Sequence, residues 1–330
     1  MPQDSTGSAW QPALVHEEPT LLERYLGKYA SVDDQGLAFT ALNTAMMRDG
    51  AVLHVDKATD VTTPIPLLYV SDAGAEGGVS YPRNLLVMER EAKATVIEQY
   101  VALGDARYLT NAVTECVLAD GATLNHYKLQ REGAKAYHVG HIEAEQGRDS
   151  HYISFSFAIG SALARSNIYT RLAGDGCGAT LNGLYMLDSD QVSDHQTRIE
   201  HVAPNCYSRE MYKGILDGTS HGVFNGKVYV HPEAQKTDGK QTNKTLLLSE
   251  RARIDTKPQL EIFADDVKCT HGATVGKLDE LATFYMKSRG IPADMTRRLL
   301  TYAFAAEVLE TLELEPLKED LERLTLQRYV

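Results

Sequence analysis

Between Ala51 and about Val275 the sequence carries scarcely a window of helical periodicity, and that absence constrains the fold more than any motif does. Apolar residues come instead in short runs of five to eight, many of them alternating with period two. In HYISFSF, Ile153, Phe155 and Phe157 share one face of an extended chain, while Tyr152, Ser154 and Ser156 share the other. KTLLLSE, QLEIF and GKVYVH behave in the same way. A βαβ architecture needs a helix between consecutive parallel strands, so the missing helices argue against it and the middle of the chain is expected to be all β.

Glycines at 121, 133, 147, 160 and 174, resumed at 214, 226 and 239, fall 12 to 14 residues apart, as if a corner followed every strand. Two such units per coil would build a parallel β-helix. A β-sandwich with hairpins is the alternative, and Asn225-Gly226 is its best turn.

Helical patterns are confined to the ends. Leu21, Leu22, Tyr25, Leu26 and Tyr29 recur at helical spacing, and a second run from Leu37 to Met47 stops at Asp49-Gly50. The chain before Pro19 is expected to be disordered. Residues 277–289 place Leu278, Leu281, Phe284 and Tyr285 on one helical face, with Gly290 as the stop. Pro292 then fits the first turn of a helix whose stripe, Met295, Leu299, Ala303, Ala306 and Leu309, runs on to Leu312, with Arg297 and Arg298 outside it. Residues 316–326 suggest a short amphipathic helix. The expected organisation is an N-terminal tail and helical segment over 1–50, a β core over 51–275 and a C-terminal helical domain over 276–330.

Composition narrows the function classes. With 43% hydrophobic residues in 330 there is enough apolar surface to offset the entropy of ordering a large core. Lys and Arg number 33 against 45 Asp and Glu, a net charge of −12, which disfavours binding to a nucleic-acid backbone. The N-terminus lacks the basic start and apolar stretch of a secretory signal, and no run is long enough to span a bilayer, so a soluble cytoplasmic protein is expected. Cysteines 116, 177, 206 and 269 form no CxxC pair and are read as free thiols.

Most apparent motifs are decoys. GATVGKL at 272–278 has three residues between its glycines where a phosphate loop needs four, and Leu278 stands where a magnesium-binding hydroxyl belongs, so the chain is not expected to bind ATP. No GxSxG, HExxH or GxGxxG run occurs. His195 and His201 share a strand face and are read as surface or corner histidines; Asp265-Asp266 reads as a solvated acid pair and His221 as a turn residue. One cluster remains: in DDVKCTHGATVG, Cys269 and His271 project from the same face of a strand, about 7 Å apart. Thiolate and imidazole suit iron, zinc or an iron–sulfur species, but two ligands do not complete a site. The plainer reading is a buried cysteine beside a satisfied histidine.

The segment DTKPQLEIFADDVKCTHGATVGKLDELATFYMKSRGI, residues 255–291, resembles the C-terminal signature of the SufD family of iron–sulfur cluster assembly subunits. The resemblance continues upstream from Arg209, downstream through RRLLTYAFAAEVLE, and in ALNTAMMRDGAVLHV at 41–55, so it covers about residues 40 to 315. It implies a mainly β fold: a right-handed parallel β-helix with a short N-terminal helical segment and a C-terminal helical domain. It also implies a non-catalytic scaffold that pairs with a SufB-like subunit and docks a SufC-like ATPase, with ATP bound by that partner alone. A homodimer is the alternative state when the chain is alone. A transient iron–sulfur cluster, or its iron, would be held at the interface by His271 and Cys269, while Met295, Leu299, Ala303 and Ala306 would meet the ATPase. SufB-like chains carry an acidic EHEA-like segment where this chain has CTHGA, which favours the SufD side. Family members usually have a longer N-terminal helical region. The competing expectation, from another class, is a stand-alone β-helix enzyme acting on polysaccharide; its marks would be an export signal and a groove of carboxylates and exposed aromatics.

Overall fold

In the computed structural model residues 9–10, 19–30, 38–72, 74 and 76–328 are described. The expectation of disorder ahead of Pro19 falls outside them, apart from Ala9–Trp10, which forms strand β1. Five strands, β2 (Ala51–Val55), β3 (Ile65–Ser71), β4 (Val79–Ser80), β5 (Arg83–Met88) and β6 (Lys93–Ala102), lead into a regular series. That series comprises β7 (Leu109–Leu118), β8 (Thr123–Glu132), β9 (Tyr137–Gln146), β10 (His151–Gly160), β11 (Leu163–Leu172) and β12 (Gly178–Leu187). It continues through β13 (Val192–His201), β14 (Tyr207–Leu216), β15 (His221–Val230), β16 (Thr237–Leu247), β17 (Arg253–Ile262) and β18 (Val267–Gly276).

From β5 onward each strand pairs with the one two places along the chain. One sheet runs β1-β2-β5-β7-β9-β11-β13-β15-β17, with β4 on β7, and the other runs β3-β6-β8-β10-β12-β14-β16-β18. Every pairing except β1 on β2 is parallel. One strand per sheet per turn is a parallel β-helix, and the hairpin sandwich is excluded. The register steps measure the coil: Lys93 to Thr123 is 30 residues, His151 to Gly178 is 27 and Tyr207 to Asp238 is 31.

Strands of ten residues are longer than the apolar runs suggested, because polar residues continue the ladder. Gly121, Gly133, Gly147, Gly160 and Gly174 do lie at corners, and Gly121 and Gly160 have φ near +71° and +81°, which favours glycine there. Gly214, Gly226 and Gly239 lie inside strands β14, β15 and β16. They are spacers. A Cβ on Gly214 would come within 2.4 Å of the Tyr185 ring, and Asn225-Gly226 makes no turn at all.

The interior of the coil holds the largest apolar cluster, from Leu53 and Met88 to Val230 and Ala264. Three C-terminal helices, α3 (Glu280–Ser288), α4 (Ala293–Leu309) and α5 (Glu315–Arg328), follow α1 (Pro19–Tyr25) and α2 (Ala38–Met46). Leu22 and Tyr25 of α1 pack on Val52, Leu85 and Val87, on the outer face of the first sheet. On the outer face of the second sheet Leu129, Phe155, Phe157, Leu184 and Met186 are roofed by Ala305, Val308, Leu309, Leu312, Leu317 and Leu321. The alternation in HYISFSF thus has a consequence opposite to the usual one: its phenylalanines point out under a helical roof, and Ser154 and Ser156 point in. No helix among the described residues is long and apolar enough to cross a membrane.

Candidate functional site

Strand β18 is the last rung of the second sheet and no described strand pairs beyond it, and from His271 to Gly276 it is exposed. Its register with β16 pairs Gly239 with Cys269 and Gln241 with His271. Following those positions back through the sheet gives two inward-facing columns. Cys269 continues Leu124, Tyr152, Ala179, Ser208 and Gly239; His271 continues His126, Ser154, Leu181, Glu210 and Gln241. Both side chains therefore belong to the interior face and meet solvent because the coil ends there.

Cys269 is half-buried, its Sγ 3.3 Å from where a Cβ on Gly239 would stand, so the missing side chain leaves the thiol its room. Burial pushes its pKa up and Asp238 adds to that, against a backbone hydrogen bond at Gly239 that lowers it. The thiol is thus held protonated. His271 is paired through its backbone with β16, and its side chain is exposed, with no hydrogen bond among the described residues. Those residues contain no group of three or more His, Cys, Asp or Glu placed to hold a metal ion. The pair is two donors on one strand face, open to whatever is placed against it. Asp265 and Asp266, between β17 and β18, are solvated, as expected.

The structure corrects several other readings. His195 and His201 are neither surface nor corner residues but lie on the inner face of β13, at 2% and 0% exposure. Burial pushes their pKa values down to about 3 and about 4. His221 opens β15 and binds the Asp255 carboxylate at 2.8 Å. Sequence reasoning missed a buried polar cluster in the first full coils altogether. There His126 meets Glu98 at 3.0 Å and the Tyr152 hydroxyl at 3.1 Å, and Glu98 also accepts from Tyr100 and Thr114, each at 2.8 Å. Burial pushes the Glu98 carboxyl up, but the hydrogen bond and charge of His126 and the charge of Lys128 carry it down to about 2. A strand with period two announces two faces without saying which is inside, and here the polar face is.

On α4 the expected stripe divides. Leu309 and Leu312 are buried on the underside of the roof, whereas Met295, Leu299 and Ala303 are exposed and Ala306 is half-buried. The face of α3 behaves likewise: Leu281, Phe284 and Tyr285 are 80%, 72% and 58% exposed, and no residue of that helix is buried. Asp279 caps α3 by accepting from the Leu281 and Ala282 amides, so the helix is well formed although its apolar face is uncovered.

Fold and site define a parallel β-helix protein that carries a thiol and an imidazole on its last strand and apolar helix faces beside its roof. Residues 69–304 match the family described as SUF system FeS cluster assembly, SufBD core domain, and residues 11–67 match the SufBD protein N-terminal region. The chain belongs to the SufBD family of iron–sulfur cluster assembly proteins. It is 38% identical over 289 residues to the iron–sulfur cluster assembly protein SufD of Escherichia coli K12, covering 87% of this chain and 68% of the relative. It is 33% identical to an iron–sulfur cluster assembly SufBD family protein of Synechocystis, over 96% of this chain and 71% of the relative. SufD of Bacillus subtilis is 30% identical over 93% of this chain and 70% of its own length.

Proposed function

We propose that the chain is a SufD-like, non-catalytic scaffold that presents its uncapped coil end to a SufB-like subunit and its exposed helix faces to a SufC-like ATPase. The nascent iron–sulfur cluster, or its iron, is cargo held between the two solenoids by His271 and Cys269 together with donors from the partner. ATP belongs to the ATPase subunit. The observation that carries this reading is the placement of Cys269 and His271 side by side on the inner face of the last, unstacked strand. A partner strand set against that end would bring its own donors within reach. A two-donor set also suits a cluster that must leave, since a complete set would retain it.

The test is His271→Ala in the chain co-expressed with SufB-like and SufC-like subunits. The complex and its ATP hydrolysis should persist, while visible absorbance of iron–sulfur species and acid-labile sulfide fall. Cys269→Ser should act in the same direction and more weakly, because its thiol begins protonated. Undiminished cluster formation in the His271→Ala complex overturns the site, and loss of the complex reduces both residues to interface packing.

A further inference from the structure

The interior of the solenoid between β10 and β17 is not saturated by its own hydrogen bonds. Ser154 Oγ, His195 Nδ1, Thr197 Oγ1, Glu210 Oε1, Tyr212 OH and Gln241 Oε1 are all buried atoms without a hydrogen-bond partner. All six sit on inward columns of the two sheets, and they are spread over four successive coils. Orphaned buried atoms are destabilising unless ordered water satisfies them, so six in one lumen call for a common occupant. Coils stack ~4.8 Å apart, a distance one or two waters bridge.

The column that carries His271 orders these groups. Glu210 accepts from Gln241 Nε2 at 2.7 Å, which leaves Gln241 Oε1 free, and the next rung outward is His271 at the solvent. On the other side Thr197 approaches the Glu210 carboxyl from β13, and Leu181 precedes it in the column from β12. Tyr212 shares its strand and points into the same space, and the His195 ring lies 5.6 Å from that of Tyr212. Neither lysine nor arginine is among the groups that act on Glu210. Accordingly burial pushes its carboxyl up to about 7, opposed by the nearby Thr197 hydroxyl and by the hydrogen bond from Gln241.

We propose that the lumen holds a file of ordered waters running from Ser154 past Thr197 and Glu210 to Gln241, and that Glu210 exchanges protons through it with the open end at His271. The ligand is water, and the step is proton movement alone: the Glu210 carboxylic acid releases a proton into the file and its carboxylate takes one back, with no electron transferred. The file itself stands on the interior geometry; only its service to cluster chemistry rests on the function proposed above. At a site where a thiol must lose a proton to bind iron, a nearby buried acid with a route to it would receive or supply that proton.

The experiment is infrared difference spectroscopy on the chain alone, so that no partner or cluster enters it. The expected result is a protonated-carboxyl band that titrates away as pH rises through neutrality, shifts promptly on transfer to deuterium oxide, and is lost in Glu210→Gln. Thr197→Val, which keeps the side-chain shape, should slow the deuterium shift without removing the band. A Glu210 band that stays unexchanged on transfer marks a dry lumen and overturns the file, as does an exchange rate untouched by Thr197→Val. Absence of any titrating band that Glu210→Gln removes overturns the role of Glu210. Failure of the scaffold function would show in the His271→Ala complex and leave these spectra unchanged.

Discussion

Arg83 and Glu115 form an ion pair at 2.7 Å in which neither side chain touches solvent. The same carboxylate accepts from the amides of Gly27, Tyr29 and Ala30 at 2.8, 2.9 and 3.0 Å, and the guanidinium reaches Thr44 at 3.1 Å. One buried pair on β5 and β7 thereby gathers the segment after α1 and the helix α2 onto the first sheet. Glu115→Ala leaves the Arg83 charge unmatched, and a cost of roughly 3–5 kcal/mol is expected by urea denaturation. A loss under about 1 kcal/mol would mean the pair only decorates the fold.

Lys213 fastens the roof. Its ammonium, 2% exposed at the side chain, donates to the Phe304 carbonyl at 2.6 Å and to Glu307 at 2.5 Å, and it lies 4.5 Å from the Phe304 ring centroid. Glu307→Ala removes the counter-charge and should loosen α4, costing about 1–3 kcal/mol. Lys213→Met removes both the charge and its need for a partner, and should cost less. Limited proteolysis of the C-terminal helices reads the difference; equal protection in wild type and Glu307→Ala would refute it.

The roof also decides how ATPase docking is to be tested. Truncation after Gly276 would strip the cover from Phe155 and Phe157, so the shortened chain is not expected to keep its β structure. Point changes avoid this. Met295→Asp with Leu299→Asp alters two side chains that are 41% and 37% exposed, and should abolish co-purification of a SufC-like ATPase with an unchanged circular dichroism spectrum. Normal co-purification of the double variant would move docking elsewhere, with Leu281 and Phe284 the next surface to try.

Subunit pairing is testable at an edge. Phe263 N donates to Val230 O, so by the alternation of a parallel ladder the Ile262 N–H points away from β15, along the free edge of the first sheet. Leu247 lies on β16, which is flanked by β14 and β18. Ile262→Pro should weaken pairing with a SufB-like chain, measured by sedimentation, while the melting temperature changes little. An equal fall in both would show that the edge is needed by the fold itself.

What could be read from the sequence follows the physics of each signal. Period-two alternation and the lack of helical windows identify β structure in the middle, and the single residue between Cys269 and His271 puts them on one strand face. Neither signal carries a direction. The inward turn of Ser154 depends on helices more than a hundred residues downstream covering the outer face of the second sheet, and local pattern cannot register that. Glycine spacing misled at Gly214, Gly226 and Gly239 because a glycine that makes room for a ring or a thiol looks the same as one at a corner. The α4 stripe divided because the helix buries Thr296, Thr301, Ala305, Val308 and Leu309, a neighbouring face that shares only Leu309 with the expected stripe.

Acid and base stability provide the last test, because the buried groups pull in opposite directions. His195 and His201 have folded pKa values of about 3 and about 4, below the ordinary 6.5. Between these limits the unfolded chain binds protons that the folded chain refuses, so stability falls as pH drops below 6.5, by up to about 1.4 kcal/mol per pH unit for each ring. Glu210 behaves in the reverse sense. Its folded pKa of about 7 exceeds the ordinary 4.5, so the folded chain keeps a proton that the unfolded chain has released, and stability falls as pH rises from 4.5 to 7. Glu210→Gln removes that penalty. Urea denaturation should show the variant gaining on wild type from pH 5 to pH 8, by roughly 2–3 kcal/mol in all, and His195→Gln should flatten the acid limb. A difference between Glu210→Gln and wild type that is constant across this range would mean that Glu210 titrates normally and that its surroundings are wet enough to solvate the charge.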